Sequence, residues 1–135
     1  MALIDTGATG NFMSRETVSA LGSMVRDDKS LTISVVNDQK IKVDKSTEIT
    51  FKFKDLNKEH HMKYYVIDKC SYDVIIGNEF IMNSNCILSF MENSVQIDTE
   101  TLGFDNGVNK CLADEILMGH RTRQRMLSKI TYKTR

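Results

Sequence analysis

Asp5-Thr6-Gly7 places an ionisable carboxyl, a hydroxyl and a residue without a Cβ in direct succession, at the end of the apolar run Ala2-Leu3-Ile4. A lone carboxylate beside a buried strand is costly, so it must neutralise or find hydrogen-bonded partners. Two such acids brought together by two-fold symmetry would share one proton. One would stay charged as a general base, the other neutral as a general acid, and both would act on a water held between them. Thr6 would hydrogen-bond across the two-fold axis and lock the paired loops, and Gly7 would let backbone approach the carboxylates closely. The plainer reading of Asp5 is a turn residue that hydrogen-bonds nearby amides. Thr9 and Asn11 read as loop-shaping residues.

The other reactive side chains carry less. His60 and His61 are adjacent, so on a strand they face opposite ways, and no third ligand is spaced nearby. A polar turn is the expectation there, with no metal and no cofactor. Cys70, Cys86 and Cys111 are odd in number and lack C-x-x-C spacing. That pattern fits inert thiols in a reducing, cytoplasmic setting rather than a disulfide framework or zinc ribbon. The eight methionines are expected to fill gaps in the core.

The elements that must position Asp5 follow from periodicity. With no proline in the chain, glycine and Asn/Asp/Ser clusters supply the breaks. Ala2-Leu3-Ile4 reads as a buried strand entering a tight loop through Gly10. Ser14 to Leu21 reads as a short helix, capped by Ser14 and stopped at Gly22. The period then becomes two: Leu31, Ile33 and Val35, then Ile41 and Val43, flank Asn37-Asp38-Gln39 as a hairpin. Ile49, Phe51 and Phe53 face a core while Glu48, Thr50, Lys52 and Lys54 face water. Met62–Ile67, Asp73–Ile76, Cys86–Phe90 and Ser94–Ile97 read as strands, with a short helix from Glu79 to Met82. Many short strands with one or two short helices predict an all-β, closed barrel architecture.

On these residues the chain resembles a family. Ala2 to Phe12 is similar to the active-site segment of retropepsin-like aspartic proteases, especially those of gypsy-type LTR retrotransposons. Asp73-Val74-Ile75-Ile76-Gly77-Asn78-Glu79-Phe80-Ile81 resembles their downstream segment of two apolar residues and a glycine. A bare D-T-G arises by chance in about 2% of random chains this long, so the second landmark and the intervening hairpin carry the resemblance. It spans about residues 2–98. It implies catalysis by Asp5, Thr6 and Gly7, and substrate contacts from Ala8 and from a flap at Val36, Asn37, Asp38 and Gln39. It also implies support of the active site by Ile75, Ile76 and Gly77. Two features depart from the family: four residues precede Asp5 where a longer strand is usual, and the flap tip lacks glycine. The edge of the strand before Asp5 is accordingly expected to be incomplete, the dimer weak and the activity poor.

The resemblance implies an aspartic endopeptidase active as a homodimer and acting on a Gag–Pol-type polyprotein or peptide, in the cytoplasm or within retroelement particles. The alternative is a catalytically silent, domesticated or decayed domain that serves as a dimeric peptide-binding module. Length and composition fit one globular domain of 135 residues, 41% hydrophobic and 27% charged. Residues 1–100 would form the protease domain and 101–135 a linker and basic tail, with helix expected over Ala113–Lys129. No apolar run approaches the ~20 residues of a membrane helix, and Met1–Ile4 is too short for a signal peptide. Eighteen basic and eighteen acidic residues cancel overall, but Gly119–Arg135 holds six basic and no acidic ones. The remaining twelve against eighteen leave residues 1–118 at net −6. A solvated linker is the expectation for this tail, with weak nucleic-acid contact as a lesser one, since only Tyr132 could stack on a base.

Overall fold

The computed structural model describes residues 2–34, 39–68 and 72–104, together with the backbone of strands at 124–127 and 130–133. Among the described residues, eleven strands and two short helices follow in the order β1 (Ala2–Asp5), β2 (Phe12–Ser14), α1 (Arg15–Leu21), β3 (Arg26–Ser34), β4 (Lys40–Phe53), β5 (His60–Ile67), β6 (Val74–Ile76), α2 (Asn78–Asn83), β7 (Ile87–Ser89), β8 (Ser94–Ile97), β9 (Glu100–Gly103), β10 (Gln124–Leu127) and β11 (Ile130–Lys133). The all-β class expected from the alternation is present.

Local chemistry accounts for most boundaries. The Ser14 hydroxyl accepts from the Thr17 amide at 3.1 Å and caps α1, and Gly22 ends the helix at φ 64°. The four non-glycine residues with positive φ are Asp55, Asn85, Asn93 and Asp98. Short polar side chains tolerate that region best, so Asn and Asp make the sharp turns of a proline-free chain.

The main sheet runs β10-β1-β6-β2-β5-β4-β11, with β3 branching off β4. A separate three-stranded sheet is ordered β7-β8-β9. Strand β1 is parallel to β6, and β2 is parallel to β5 and antiparallel to β6. The core gathers Ile4, Met13, Ile49, Phe51, Phe53, Tyr64, Val74, Ile76 and Phe80, with Val95 and Ile97 from the small sheet. The Glu100 carboxylate accepts from the Asn57 and Lys58 amides at 2.8 and 3.2 Å. Lys58 also pairs with Asp98, so the β4–β5 turn is clamped to the small sheet from two sides.

Five expectations change. Ile41–Val43 and the stretch from Thr47 to Phe53 are one continuous 14-residue strand, β4, which stops short of Lys54, because two different partners, β3 and β5, carry it past the polar stretch at Asp44-Lys45. His60 and His61 are not a turn: they open β5, and His60 is buried against Phe51, Phe53 and Phe80. Only some methionines fill the core; Met13 is buried, while Met24, Met82 and Met91 lie on the surface. Within the span expected as helix, Gln124–Leu127 is a strand, since an open sheet edge offers it a full ladder of partners and overrides the helix propensity of its residues. The same strand pairs with β1, so the edge expected to be incomplete is covered. Residues 105–123, and with them Cys111, lie outside the described residues.

Candidate active site

Strand β1 ends at Asp5, and the chain turns at once: the Ala8 amide donates to the Asp5 carbonyl at 3.2 Å. The half-buried Asp5 carboxylate accepts from the Gly7 amide through Oδ1 at 2.8 Å. That contact fixes the carboxylate's orientation and leaves Oδ2 for other chemistry. Thr6 and Ala8 are half-buried and Gly7 is exposed.

The loop 6–11 rests on the junction of β6 and α2, 66 residues or more downstream. The Gly77 amide donates to Asn11 Oδ1 at 3.0 Å in a buried contact. Asn78 donates from Nδ2 to the Thr6 carbonyl and from its amide to the Ala8 carbonyl, both at 2.8 Å. The Glu79 amide donates to the Thr9 carbonyl at 3.1 Å. On the far side, the Tyr65 amide donates to the Asn11 carbonyl at 2.8 Å. A Cβ on Gly77 would lie 2.1 Å from the Gly10 carbonyl oxygen and 2.7 Å from that of Ala8. Only glycine fits this crossing. Three consecutive residues of the junction, Gly77, Asn78 and Glu79, therefore grip the loop through four hydrogen bonds. Ile76 is fully buried in the core, whereas Ile75 turns the other way.

That reversal lines up a second apolar face, in which Leu3 and Phe12 are buried and Ile75 and Tyr65 are partly exposed. Alternation puts Ala2 and Ile4 in the main core and Leu3 and Asp5 on the opposite face. Leu3 pairs with Ile75, Ile75 with Phe12, and Phe12 with Tyr65 across four neighbouring strands. Tyr72 packs onto the Leu3–Ile75 end, and the Phe12 and Tyr65 rings stand 5.9 Å apart. An apolar row thus runs from the foot of the Asp5 carboxylate across the sheet. The signal available in the sequence was the two-residue spacing of Leu3 and Asp5; the partners Ile75, Phe12 and Tyr65 needed the strand register.

β3 and β4 extend beyond β5 as an arm. Below Lys45 β4 pairs only with β3, as far as the Ser34–Lys40 pair, and from Ser46 it is also paired with β5. Val36, Asn37 and Asp38 lie outside the described residues; Gln39 is exposed at the arm's end. The root of the arm is pinned where the β3 register shifts between Asp27 and Leu31. Asp28 there meets Lys63 at 3.1 Å. The Ser46 hydroxyl, then Lys63 and the Lys29 amide, draw its carboxyl down to about 2. Lys63 in turn lies 4.7 Å over the Tyr65 ring.

Elsewhere, Cys86 is half-buried and its thiol is pushed up to about 11 by burial, as suits an inert side chain. Cys70 lies outside the described residues. Among the described residues no three His, Cys, Asp or Glu side chains are grouped to hold a metal ion, and no helix is long and apolar enough to cross a membrane.

The family model of the PEG10/RTL1 protease domain matches residues 1–102. Among solved structures, the chain is similar to the retroviral protease-like domain of Ddi1 from Leishmania major. The TM-score is 0.56 at 19% sequence identity, over 77% of this chain and 82% of that one. At that identity the likeness is one of fold, and the fold is retropepsin-like. No curated protein matches the chain in sequence.

Proposed function

The chain belongs to the PEG10/RTL1 protease domain family, and from that premise we propose that it is an aspartic endopeptidase in which Asp5 is the catalytic carboxylate. The observation that carries the reading is the grip of the β6–α2 junction on the Asp5 loop. Asn11, Gly77 and Asn78 hold the loop rigidly, which is what preorganised acid–base chemistry requires. One Asp5 supplies one carboxylate, so the mechanism calls for a second copy of the chain, with the two loops facing each other across a two-fold axis. The pair holds one proton. The charged Asp5 takes a proton from water as the oxygen attacks the scissile carbonyl, and the neutral one donates to the developing oxyanion. Thr6 and Gly7 keep the paired loops close.

The substrate is an extended peptide lying between the Asp5 loop and the β3–β4 arm. Its backbone pairs with strand edges, with Ala8 and the arm's tip, Val36 to Gln39, as its nearest contacts. Within the row Leu3-Ile75-Phe12-Tyr65, the partly exposed Ile75 and Tyr65 accept apolar side chains next to the scissile bond, with Leu3 and Phe12 buried behind them. A polyprotein of a gypsy-type retroelement is the substrate class that fits, and no cofactor is needed.

Replacing Asp5 by asparagine tests the assignment. The change is nearly isosteric and removes the shared proton, so hydrolysis of a peptide library at mildly acidic pH should fall about a thousand-fold or more. Circular dichroism and sedimentation should be unchanged. Retention of most of the wild-type rate would show that Asp5 is not the catalytic acid. Peptide binding without cleavage in both proteins would favour a silent, dimeric binding module.

A further inference from the structure

The family match ends at residue 102, yet two strands beyond it lie at the two ends of the main sheet. β10 pairs antiparallel with β1 in the register Ala2–Leu127, Leu3–Met126, Ile4–Arg125 and Asp5–Gln124. β11 pairs antiparallel with β4, from Ile130–Phe53 to Lys133–Thr50. In chain order only residues 128 and 129 separate them. Three Cα steps span at most ~11 Å, so the opposite ends of the seven-strand path must come together. The sheet closes on itself through this segment.

We propose that residues 124–133 are a clasp, supplied by the chain itself, that closes the barrel and holds the catalytic strand in place. β1 is four residues long and meets β6 over three register pairs, Ala2 to Ile4. Asp5 has no partner in that ladder. Among the described residues its only strand partner is Gln124 of the clasp. Without β10 the outer edge of β1 would present unpaired backbone groups beside the carboxylate, a costly arrangement that also invites foreign strands. Charge supports the same seat: the segment 119–135 carries six basic residues and no acidic one, against a net −6 in the rest of the chain. Opposite signs favour docking of the segment on the body over its release.

The clasp makes claims that do not depend on the chemistry of Asp5. Lys52 and Thr131 are register partners, and Lys52 is exposed. In the full chain, with Cys70, Cys86 and Cys111 replaced by serine, Lys52→Cys with Thr131→Cys should oxidise to an intramolecular disulfide. The expected product is a monomer two mass units lighter, running faster on a non-reducing gel. A covalent dimer would mean that the segment is exchanged between copies, and no cross-link would mean that it does not pair with β4; either result overturns the proposal. A second measurement addresses β1. Met126→Pro in the full chain removes a ladder position, and amide exchange at residues 2–5 and 50–53 should accelerate about ten-fold or more. The same acceleration spread over the whole chain would equally support a clasp on which the barrel depends. Unchanged protection of residues 2–5 would sink it.

Discussion

Gly77 donates its amide to the side-chain oxygen of Asn11 at 3.0 Å, in a buried contact that spans 66 positions of sequence. Through it the turn after two isoleucines, Ile75 and Ile76, is fastened under the loop after Asp5. Asn11 is 1% exposed, and its Nδ2 has no hydrogen-bond partner among the described residues. Burying an unsatisfied donor costs about 1–3 kcal/mol, so the residue is retained for what its oxygen does.

Gly77→Ala should be among the most damaging single-methyl substitutions in the chain. Its Cβ would sit 2.1 Å from a backbone oxygen, and backbone, unlike a flexible side chain, cannot swing away. We expect a loss of about 3 kcal/mol in denaturant unfolding, with activity lost even where the protein remains folded. A variant within about 0.5 kcal/mol of wild type would show that the crossing is looser than the geometry requires.

Asn11→Ala leaves the Gly77 amide buried without its acceptor. The expected cost is about 1–3 kcal/mol, together with a fall in kcat at little change in KM, since the loop is misplaced rather than the substrate contacts removed. A change in KM alone would mean that Asn11 lies in the substrate path.

Ile75 lies within the apolar row, between Leu3 and Phe12, and is partly buried. Ile75→Ala should lower kcat/KM about 10–200-fold for peptides with a bulky apolar residue at the scissile bond, and far less for those with a small one. Steady-state kinetics on paired substrates provide the check. An equal loss on both would remove Ile75 from the specificity surface.

His60 makes stability depend on pH. Its ring packs against Phe80 at 5.0 Å between centroids and against Phe51 and Phe53. Burial first, and the Lys58 charge second, hold it below its ordinary value of 6.5, while Asp98 and Glu100 partly offset this. Below 6.5 the unfolded chain therefore binds more protons than the folded one, and stability falls with pH until the folded value is passed. Asp98 and Glu100 are themselves lowered from 3.8 and 4.5, the first chiefly by Lys58 and the second by the Asn57 amide. Their contributions are lost as pH falls below 3.8 and 4.5, whereas the loss from His60 begins at 6.5. His60→Phe should flatten the fall in thermal midpoint between about pH 7 and pH 5; an unaltered slope would place its origin elsewhere.

The pH–rate profile should be a bell with its maximum below neutrality, because two coupled carboxylates work only while they hold one proton between them. Such a profile should survive a chelator. A rate that climbs steadily into the alkaline range would point to different chemistry.

What could be read from the sequence alone were the features whose causes are local. Ser14 and Gly22 bound a helix because a hydroxyl and a missing Cβ satisfy its two ends within a few residues. Ile49, Phe51 and Phe53 alternate with polar residues, and the pleat alone assigns them to the core. Asp5 stood out because a carboxyl at the end of a buried strand is expensive wherever that strand packs. His60 was misread because the sequence shows a polar pair, while its burial depends on three phenylalanines from two other elements. The row Leu3-Ile75-Phe12-Tyr65 and the Asn11–Gly77 bond were hidden for a related reason. Each depends on which strands neighbour which and in what register, and a one-residue slip would reverse every face. The tail shows the same limit most clearly. Gln124-Arg125-Met126-Leu127 are good helix formers by themselves, yet the open edges of β1 and β4, more than seventy residues away, decide what Gln124–Leu127 and Ile130–Lys133 become.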